Sequence, residues 1–206
     1  MELEIPQFGD DQWIVQERAK VQPAKAATVE ERELLGRAAG GDEAAVRILF
    51  RTHVTRLHRQ AARILGADDP DVEDVVQQAF LAALDGAAKF DGRSSLSTWL
   101  FGITTRRALD AARSRWRRQR WTRLAEHVGL GQRAARPDQG YEARSDAESM
   151  LGGLSPEHRL VFVLHDVEGY TFAEISGMTG VGISSLHGRL MSARKRLDTL
   201  CGGGDE

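Results

Sequence analysis

The pattern that most constrains this chain is a pair of capped helices separated by a short glycine turn near the carboxyl end. Thr171 and Glu174 form a capping box, in which each side chain bonds the backbone amide of the other residue. Gly180 follows where a tight turn between two crossing helices requires a positive φ. Ser184 is the expected cap of the next helix. Its apolar residues recur at helical spacing and predict a buried stripe of Leu186, Leu190, Ala193 and Leu197. Together these features predict a helix-turn-helix.

A further helix is predicted directly before this pair. Ser155 and Pro156 are typical of a helix start, and Gly169 is a helix stop. We expect four of its residues to be buried: Leu160, Val163, Leu164 and Val167. The open face of the last helix carries polar and cationic residues: His187, Arg189, Ser192, Arg194, Lys195 and Arg196. A solvated three-helix bundle is the alternative interpretation, but the cationic face together with the caps and the turn favours DNA binding.

Whole-chain composition limits the fold and the class of function. Charged residues make up 28% of the 206 residues and the formal net charge is −2, so any nucleic-acid surface must be local. Aromatic residues are 6% and no run alternates with period two, which predicts an all-α protein. There is no amino-terminal signal and no long apolar run, so we expect a cytoplasmic protein without membrane insertion.

One helix in the first half has two different faces. The segment DVEDVVQQAFLAAL, Asp71 to Leu84, places six apolar residues on a broad core face: Val72, Val75, Val76, Ala79, Phe80 and Ala83. Asp74, Gln77, Gln78 and Leu81 fall at i, i+3, i+4 and i+7 on the opposite face. This face lacks the mixed Lys and Glu residues of an ordinary solvated helix. It suits docking on another protein, although a polar solvated face remains an alternative.

A long basic segment follows, from Lys89 to Trp121. It begins with a loop at Phe90 and a capped helix start at Ser95, and Trp116 and Trp121 are interleaved among its arginines. The helical period predicts an inward side formed by Leu96, Trp99, Leu100, Ile103 and Ala111, and it places Phe101, Thr105, Arg106 and Leu109 on another side. From Arg93 to Arg123 there are nine arginines and a single acid, Asp110, so we predict that few of these arginines are neutralised. Cationic and flat aromatic groups together bind phosphates and unstacked bases. A simply solvated charge run is the alternative.

Composition also divides the chain into parts. We predict a weakly ordered arm over residues 1–27, a first helical domain over 28–121, a linker over 122–149, a helix-turn-helix domain over 150–198 and a flexible tail over 199–206. Order in the first domain begins at a second capping box, formed by Thr28 and Glu31.

In combination, these residues resemble a known family. The motifs DVEDVVQQAF, FDGRSSLSTWLFGITTRRALD and LSPEHRLVFVLHDVEGYTFAEISGMTGV, in this order, are similar to those of the extracytoplasmic-function (ECF) sigma factors of bacterial RNA polymerase. The resemblance covers residues 31–121 and 150–197. It implies a sigma region 2-like four-helix domain and a region 4-like helix-turn-helix domain, joined by a flexible linker. It also implies promoter-specific transcription initiation with core RNA polymerase.

The resemblance assigns roles to individual positions. The polymerase-binding residues would be Glu73, Asp74, Gln77, Gln78, Phe80 and Leu81, docked on the β′ clamp helices, with the β flap as a further contact. The −10 element of promoter DNA would be bound by Phe90, Arg93, Ser94, Ser95, Trp99, Arg106, Arg107 and Arg113. The −35 element would be bound by Ser184, Ser185, His187, Gly188, Arg189, Ser192, Arg194 and Arg196. An anti-sigma factor is an additional implied partner.

The chain departs from its relatives at two places. Family members often have an asparagine where this chain has Arg106, and a lysine-serine pair is common where His187 and Gly188 stand. Gly188 is expected to lower helix stability by up to about 1 kcal/mol relative to alanine. We therefore expect a promoter preference unlike the family average.

Two other functional classes are alternatives to a sigma factor. A helix-turn-helix regulator with a helical sensor domain would bind duplex DNA without polymerase, and it would have no use for the polar face around Gln77. An enzyme is disfavoured because the six histidines show no metal-ligand spacing and there is no phosphate loop. We predict no catalytic residue, no cofactor and no metal.

Overall fold

The computed structural model describes residues 26–66, 68–127 and 150–201. Over these ranges the chain is helical and has no strand, which confirms the all-α prediction. The first unit contains α1 (Val29–Ala39), α2 (Glu43–Leu65), α3 (Val72–Asp85) and α4 (Leu96–His127). The second contains α5 (Pro156–Phe162), α6 (Phe172–Thr179) and α7 (Ile183–Cys201). Most of the predicted arm, most of the linker and the end of the tail lie outside the described residues.

Local side-chain caps fix the starts of the first helices. The predicted capping box is present, since Thr28 Oγ1 accepts from the Glu31 amide at 3.2 Å and Glu31 Oε2 accepts from the Thr28 amide at 3.0 Å. Asp42 caps α2 by accepting from the amides of Ala44 and Ala45. Gly66 ends α2 with a φ of 124°, a conformation that L side chains rarely adopt.

Helix α4 is enclosed more completely than its sequence predicted. It packs against α2 and α3 on one side and against α5 and α6 on the other. As a result residues 100–105 are all buried, including Phe101 and Thr105, which the sequence placed on a different side from the core. The buried hydroxyls are satisfied within the helix: Thr104 donates to the Leu100 carbonyl at 3.0 Å, and Thr105 to that of Phe101 at 2.8 Å.

A π turn closes the helix that precedes the helix-turn-helix. Ser155 caps α5 as predicted, accepting from the His158 amide at 3.4 Å. The chain then widens into a π turn over Val163–Val167 and stops at Gly169, whose φ is 77°. The wider turn changes the helical register, so Val167 is 48% exposed and its predicted burial is wrong.

The helix-turn-helix forms largely as predicted. Thr171 and Glu174 make the capping box, and Gly180 adopts a φ of 73° at the turn. The four residues of the predicted stripe on α7 are buried. The predicted cap is wrong, because α7 begins at Ile183 and the Gly182 carbonyl accepts the first bond, from Leu186 at 3.1 Å. Ser184 therefore lies inside the first turn.

Two predicted boundaries shift. Helix α4 continues to His127, past the predicted domain end at residue 121, and α7 continues to Cys201, into the predicted tail.

The two units pack against each other around a shared apolar core. This core joins Leu96 and Leu100 of α4 to Leu160 and Leu164 of the second unit and to Ile175 of α6. The seam between the units also contains polar contacts, two of which involve the predicted DNA-binding residues Arg106 and Arg113.

Candidate nucleic-acid interface

The polar face of α3 is exposed, as a docking surface requires. Glu73, Asp74, Gln77 and Gln78 are all exposed, and Leu81 is 54% exposed. Gln78 Nε2 donates to Asp74 Oδ2 at 2.7 Å, which holds an amide and a carboxylate side by side. The two acids lie in the first turn, where the helix dipole favours negative charge. We call this set the α3 face.

Phe80 does not belong to the α3 face. It is only 7% exposed and packs in the core, because it lies on the apolar side of α3. Its ring centroid is 5.0 Å from that of Phe50, which is 45% exposed and was not identified from the sequence. Phe50 is thus the aromatic residue at the surface, and Phe80 supports it from below. The sequence contained a signal for this exposure. Adjacent residues of a helix point in different directions, so Phe50 cannot share the core-facing side of α2 with Leu49, which is buried.

The loop before α4 is held by local bonds. Phe90 packs on Trp99 with ring centroids 5.0 Å apart, and both are partly buried. Ser95 caps α4 by accepting from the Thr98 amide at 3.2 Å. Arg93 is exposed and pairs with Asp91 at 3.1 Å. The loop therefore places the Arg93 guanidinium close in sequence to the packed rings of Phe90 and Trp99. Ser94 lies in the same loop and is partly buried.

The arginines of α4 have more partners than their local sequence suggests. Arg115 pairs with Asp69 and Asp71 of the turn before α3, and Arg113 Nε donates to Glu157 of α5 at 2.8 Å. Arg113 and Arg115 are exceptions to the prediction that few of these arginines are neutralised, because their acidic partners come from other elements of the chain. Burial raises the pKa of the Asp69 carboxyl even with Arg115 beside it.

Other α4 arginines stay available to a ligand. Arg107 is exposed, and neither an ion pair nor a hydrogen bond of its side chain occurs among the described residues. Arg120 lies over the Trp116 ring at 4.8 Å, and Trp121 is 70% exposed. Arg106 is exposed as well, but its Nη1 donates to the Met178 carbonyl of α6 at 2.7 Å. The cationic and aromatic end of α4 thus lies beyond the seam between the units.

The exposed face of α7 holds most of the predicted −35 residues. Those exposed are Ser184, Ser185, His187, Gly188, Ser192 and Arg196. The His187 ring stacks on Phe172 of α6 with centroids 3.9 Å apart. Met191 is 64% exposed on the same helix and was not identified from the sequence, since a lone methionine carries no specific signal.

Two predicted phosphate contacts on α7 point inward instead. Arg194 makes a two-pronged bond to Asp166, with Nε at 3.0 Å and Nη2 at 2.8 Å from the carboxylate oxygens. Burial raises the pKa of the Asp166 carboxyl, but the bonds from His165 and Arg194 outweigh burial, so the pKa lies below its ordinary value. Arg189 Nη1 is buried without a hydrogen-bond partner among the described residues. Arg194 therefore fixes the π turn against α7.

Gly188 weakens α7 without filling a structural role. A Cβ at this position would meet no heavy atom within 4 Å. We expect Gly188→Ala to raise the free energy of unfolding by about 0.5–1 kcal/mol, measured by urea denaturation. Gly180→Ala is the contrasting control, because the φ of 73° makes a side chain costly there. A destabilised Gly188→Ala would show that the position has a packing role.

Groups of three or more side chains suited to holding a metal ion do not occur within residues 26–66, 68–127 and 150–201. In that same part of the chain, no helix has the length and apolar character needed to cross a membrane.

Comparisons with known proteins identify both units. Residues 49–118 match the family Sigma-70 region 2, and residues 144–197 match the family Sigma-70, region 4. The ECF RNA polymerase sigma factor SigM of Mycobacterium tuberculosis is 32% identical over 170 residues, covering 82% of this chain and 84% of SigM. The RNA polymerase sigma factor CnrH of Cupriavidus metallidurans is 32% identical over 180 residues, covering 82% of this chain and 93% of CnrH.

Solved structures agree with these matches. CnrH in complex with the cytosolic domain of CnrY aligns with a TM-score of 0.55 at 29% identity, covering 85% of this chain and 99% of that chain. The sigma factor RpoE in complex with the anti-sigma factor NepR, from Bartonella quintana, aligns with a TM-score of 0.52 at 23% identity, which shows a shared fold. A helix-turn-helix regulator is not favoured, because region 2 and region 4 both match, in that order. The chain belongs to the ECF family of RNA polymerase sigma factors and directs transcription initiation at promoters.

Proposed function

We propose that this sigma factor docks on core RNA polymerase through the α3 face, with the β′ clamp helices as its partner. The observation that carries the proposal is the composition of that face: two acids, two amides and an exposed leucine, with no lysine or arginine anywhere in α3. An exposed apolar side chain surrounded by polar groups has the arrangement of a protein interface, in which a polar rim encloses an apolar centre. We assign Phe50 of α2 to the same surface. Its ring is partly exposed and packs against Phe80 of α3, with the ring centroids 5.0 Å apart.

The −10 element is assigned to the loop before α4 and to the arginines of that helix. Base capture needs a shaped pocket beside cations that hold the displaced strand. The Phe90–Trp99 pair offers an aromatic surface, and Arg93 and Arg107 are exposed cations of the same region. Trp116 and Trp121 supply further stacking surfaces along the helix. Arg106 and Arg113 join this set only when their contacts with the second unit are released.

The −35 element is assigned to α7, placed in the major groove. Ser184, Ser185 and His187 near its amino end suit base edges, and Arg196 suits a phosphate. Gly188 leaves a gap in the reading face, which favours a promoter preference unlike that of relatives with a side chain at this position. Arg194 acts through Asp166 as a positioning residue of the helix-turn-helix.

Arg196→Ala is the direct test of the α7 assignment. Because one phosphate contact is removed, we expect the slope of log binding constant against log salt concentration to fall by about 0.9, with the preferred sequence unchanged. Holoenzyme binding to a promoter duplex at several salt concentrations measures the slope. Arg47→Ala removes the same charge from α2 and should leave the slope unchanged. An altered sequence preference in Arg196→Ala would place this side chain on a base edge.

Two further properties belong to the same proposal. The factor does no covalent chemistry itself, and it acts in the cytoplasm together with core polymerase. A protein partner holds it inactive, as suggested by the CnrH relative, which was solved together with the cytosolic domain of CnrY. Pull-down from the native cell should recover such a partner; recovery of the factor only in free or polymerase-bound form would contradict this part of the proposal.

A further inference from the structure

We propose that a cavity beside α2 binds a small phosphate ligand that carries its own hydroxyl donor, either free hydrogen phosphate or a hydroxyl-bearing phosphate ester. The cavity has a volume of about 300 Å³ and is lined by residues of α2, by Phe101 of α4 and by Glu168, which follows the π turn. This volume lies at the lower end of the range for small-molecule sites, about 300–1,000 Å³. The described residues that line the cavity include none of those assigned above to polymerase or DNA, so this site is a separate one.

One side of α2 gives the cavity a cationic wall. Arg56, Arg59 and Arg63 recur at steps of three and four, so their side chains leave the helix on the same side, and all three line the cavity. Glu168 is the one acid among the described lining residues, and it forms an ion pair with Arg63. Three guanidinium groups and one carboxylate leave a net formal charge of +2. The cavity therefore favours a small anion.

Two of these arginines keep their charge available to a ligand. Arg59 is exposed, and its side chain forms neither an ion pair nor a hydrogen bond within the part of the chain that the structure describes. Arg56 is held by neutral partners: its Nη1 donates to Ser97 Oγ at 3.0 Å, and its guanidinium carbon lies 5.4 Å from the Phe101 ring centroid. A positioned guanidinium beside one without a partner can bind an oxyanion through charge-assisted hydrogen bonds.

Gln60 adds a second requirement, for a hydrogen-bond donor. Its Nε2 donates to the Phe101 carbonyl at 3.1 Å and to the Thr105 hydroxyl. Because a backbone carbonyl can only accept, these bonds fix which end of the amide is the nitrogen. The other end, Oε1, is buried and has no hydrogen-bond partner among the described residues, although Gln60 lines the cavity and is only 2% exposed. A buried acceptor without a donor costs free energy, which a ligand hydroxyl would recover.

The two requirements together define the chemistry of the ligand. The arginines need an oxyanion, and Gln60 Oε1 needs an O–H or N–H donor. Hydrogen phosphate carries both on one group, and a phosphate ester with a free hydroxyl carries both on one small molecule. Sulfate at neutral pH has no proton to donate, and neither does a phosphodiester of the DNA backbone. The donor requirement thus separates this site from a non-specific cationic contact with DNA.

Isothermal titration calorimetry of the full chain tests the ligand chemistry. Inorganic phosphate, sulfate and glycerol phosphate are titrated separately at constant ionic strength in a buffer that contains no other oxyanion. We expect saturable binding of inorganic phosphate that is about tenfold tighter than binding of sulfate, because only phosphate donates to Gln60 Oε1. Glycerol phosphate that binds more tightly than inorganic phosphate would assign a phosphate ester as the ligand, and the reverse order would assign free phosphate.

Arg59→Gln tests whether binding occurs in this cavity. The substitution removes one cation without breaking an ion pair or hydrogen bond of that side chain among the described residues, so helical circular dichroism should stay at the wild-type level. We expect inorganic phosphate to bind about tenfold more weakly. Arg51→Gln removes the same charge from an exposed position of α2 outside the cavity and should bind phosphate as the wild type does. The inference is overturned if phosphate binding does not saturate, if phosphate and sulfate bind equally, or if the two variants lose affinity equally.

Discussion

The double variant Asp74→Arg with Gln77→Ala is expected to lose co-purification with core RNA polymerase. Both side chains are exposed on the α3 face, and α3 contains no lysine or arginine, so Asp74→Arg introduces a cation into a helix that has none. The substitutions reverse one charge and remove one amide at the centre of the proposed dock. We expect affinity to fall by about 30-fold or more, the size of a hot-spot deletion. Pull-down of tagged factor with purified core polymerase measures the loss.

Two controls separate lost docking from lost folding. Helical circular dichroism should stay at the wild-type level, because the positive charge in the first turn of α3 costs only about 1 kcal/mol or less through the helix dipole. Glu33→Arg makes an equal charge reversal on α1 and should bind polymerase normally. Normal co-purification of the double variant would show that α3 is not the dock.

Arg194→Ala is expected to be the most destabilising change among the charged residues of α7. It removes the two-pronged partner of Asp166, whose side chain is only 2% exposed. Breaking such a pair leaves a buried charge without its partner, although the His165 bond remains. We expect the free energy of unfolding to fall by about 3 kcal/mol at neutral pH, the low end for a broken buried pair. Denaturant unfolding measures this value, with exposed Arg196→Ala as the control.

The pH dependence of that loss has a defined sign. The pKa of Asp166 is lowered in the folded protein, so the stability from its ionised form is complete above the unfolded pKa of about 3.8 and is lost as pH falls through the folded pKa. The difference between wild type and Arg194→Ala should therefore be largest near neutral pH and shrink between about pH 5 and about pH 3. An equal loss for Arg194→Ala and Arg196→Ala at neutral pH would contradict the structural role of Arg194.

Local features of this fold could be read from the sequence. A capping box needs only two residues three positions apart, so those at Thr28 and Thr171 were predictable. The turn at Gly180 and the buried stripe of α7 are likewise properties of a short segment. The exposed α3 face followed from periodicity alone, because one side of a helix must face the core and the other then faces away from it.

Features that depend on distant parts of the chain could not be predicted in this way. Phe101 and Thr105 appeared to lie outside the core because α6 and Tyr170, which bury them, come much later in the chain. The acids that neutralise Arg113 and Arg115 are likewise far away in sequence. The π turn changes the register of Val167 without a marker residue that periodicity would detect.

The predicted functional residues also differ in whether a local segment or a distant part of the chain determines their surroundings. The resemblance assigned polymerase, −10 and −35 roles to residues of α3, the loop before α4, α4 and α7. It included Phe80, which the helical period had placed on the core face, and it did not indicate that Arg194 is held by Asp166. It also gave no indication that Arg106 and Arg113 face the second unit.

Directing core polymerase to promoters is the function that the two sigma regions assign to this chain. In vitro transcription on a genomic DNA library, with core polymerase alone and with added factor, tests this function most directly when transcript starts are mapped by sequencing. We predict starts that depend on the factor and share two upstream elements at a fixed separation. The Asp74→Arg with Gln77→Ala variant should abolish them, and Glu33→Arg should retain them. Starts that are identical with and without the factor would contradict the account.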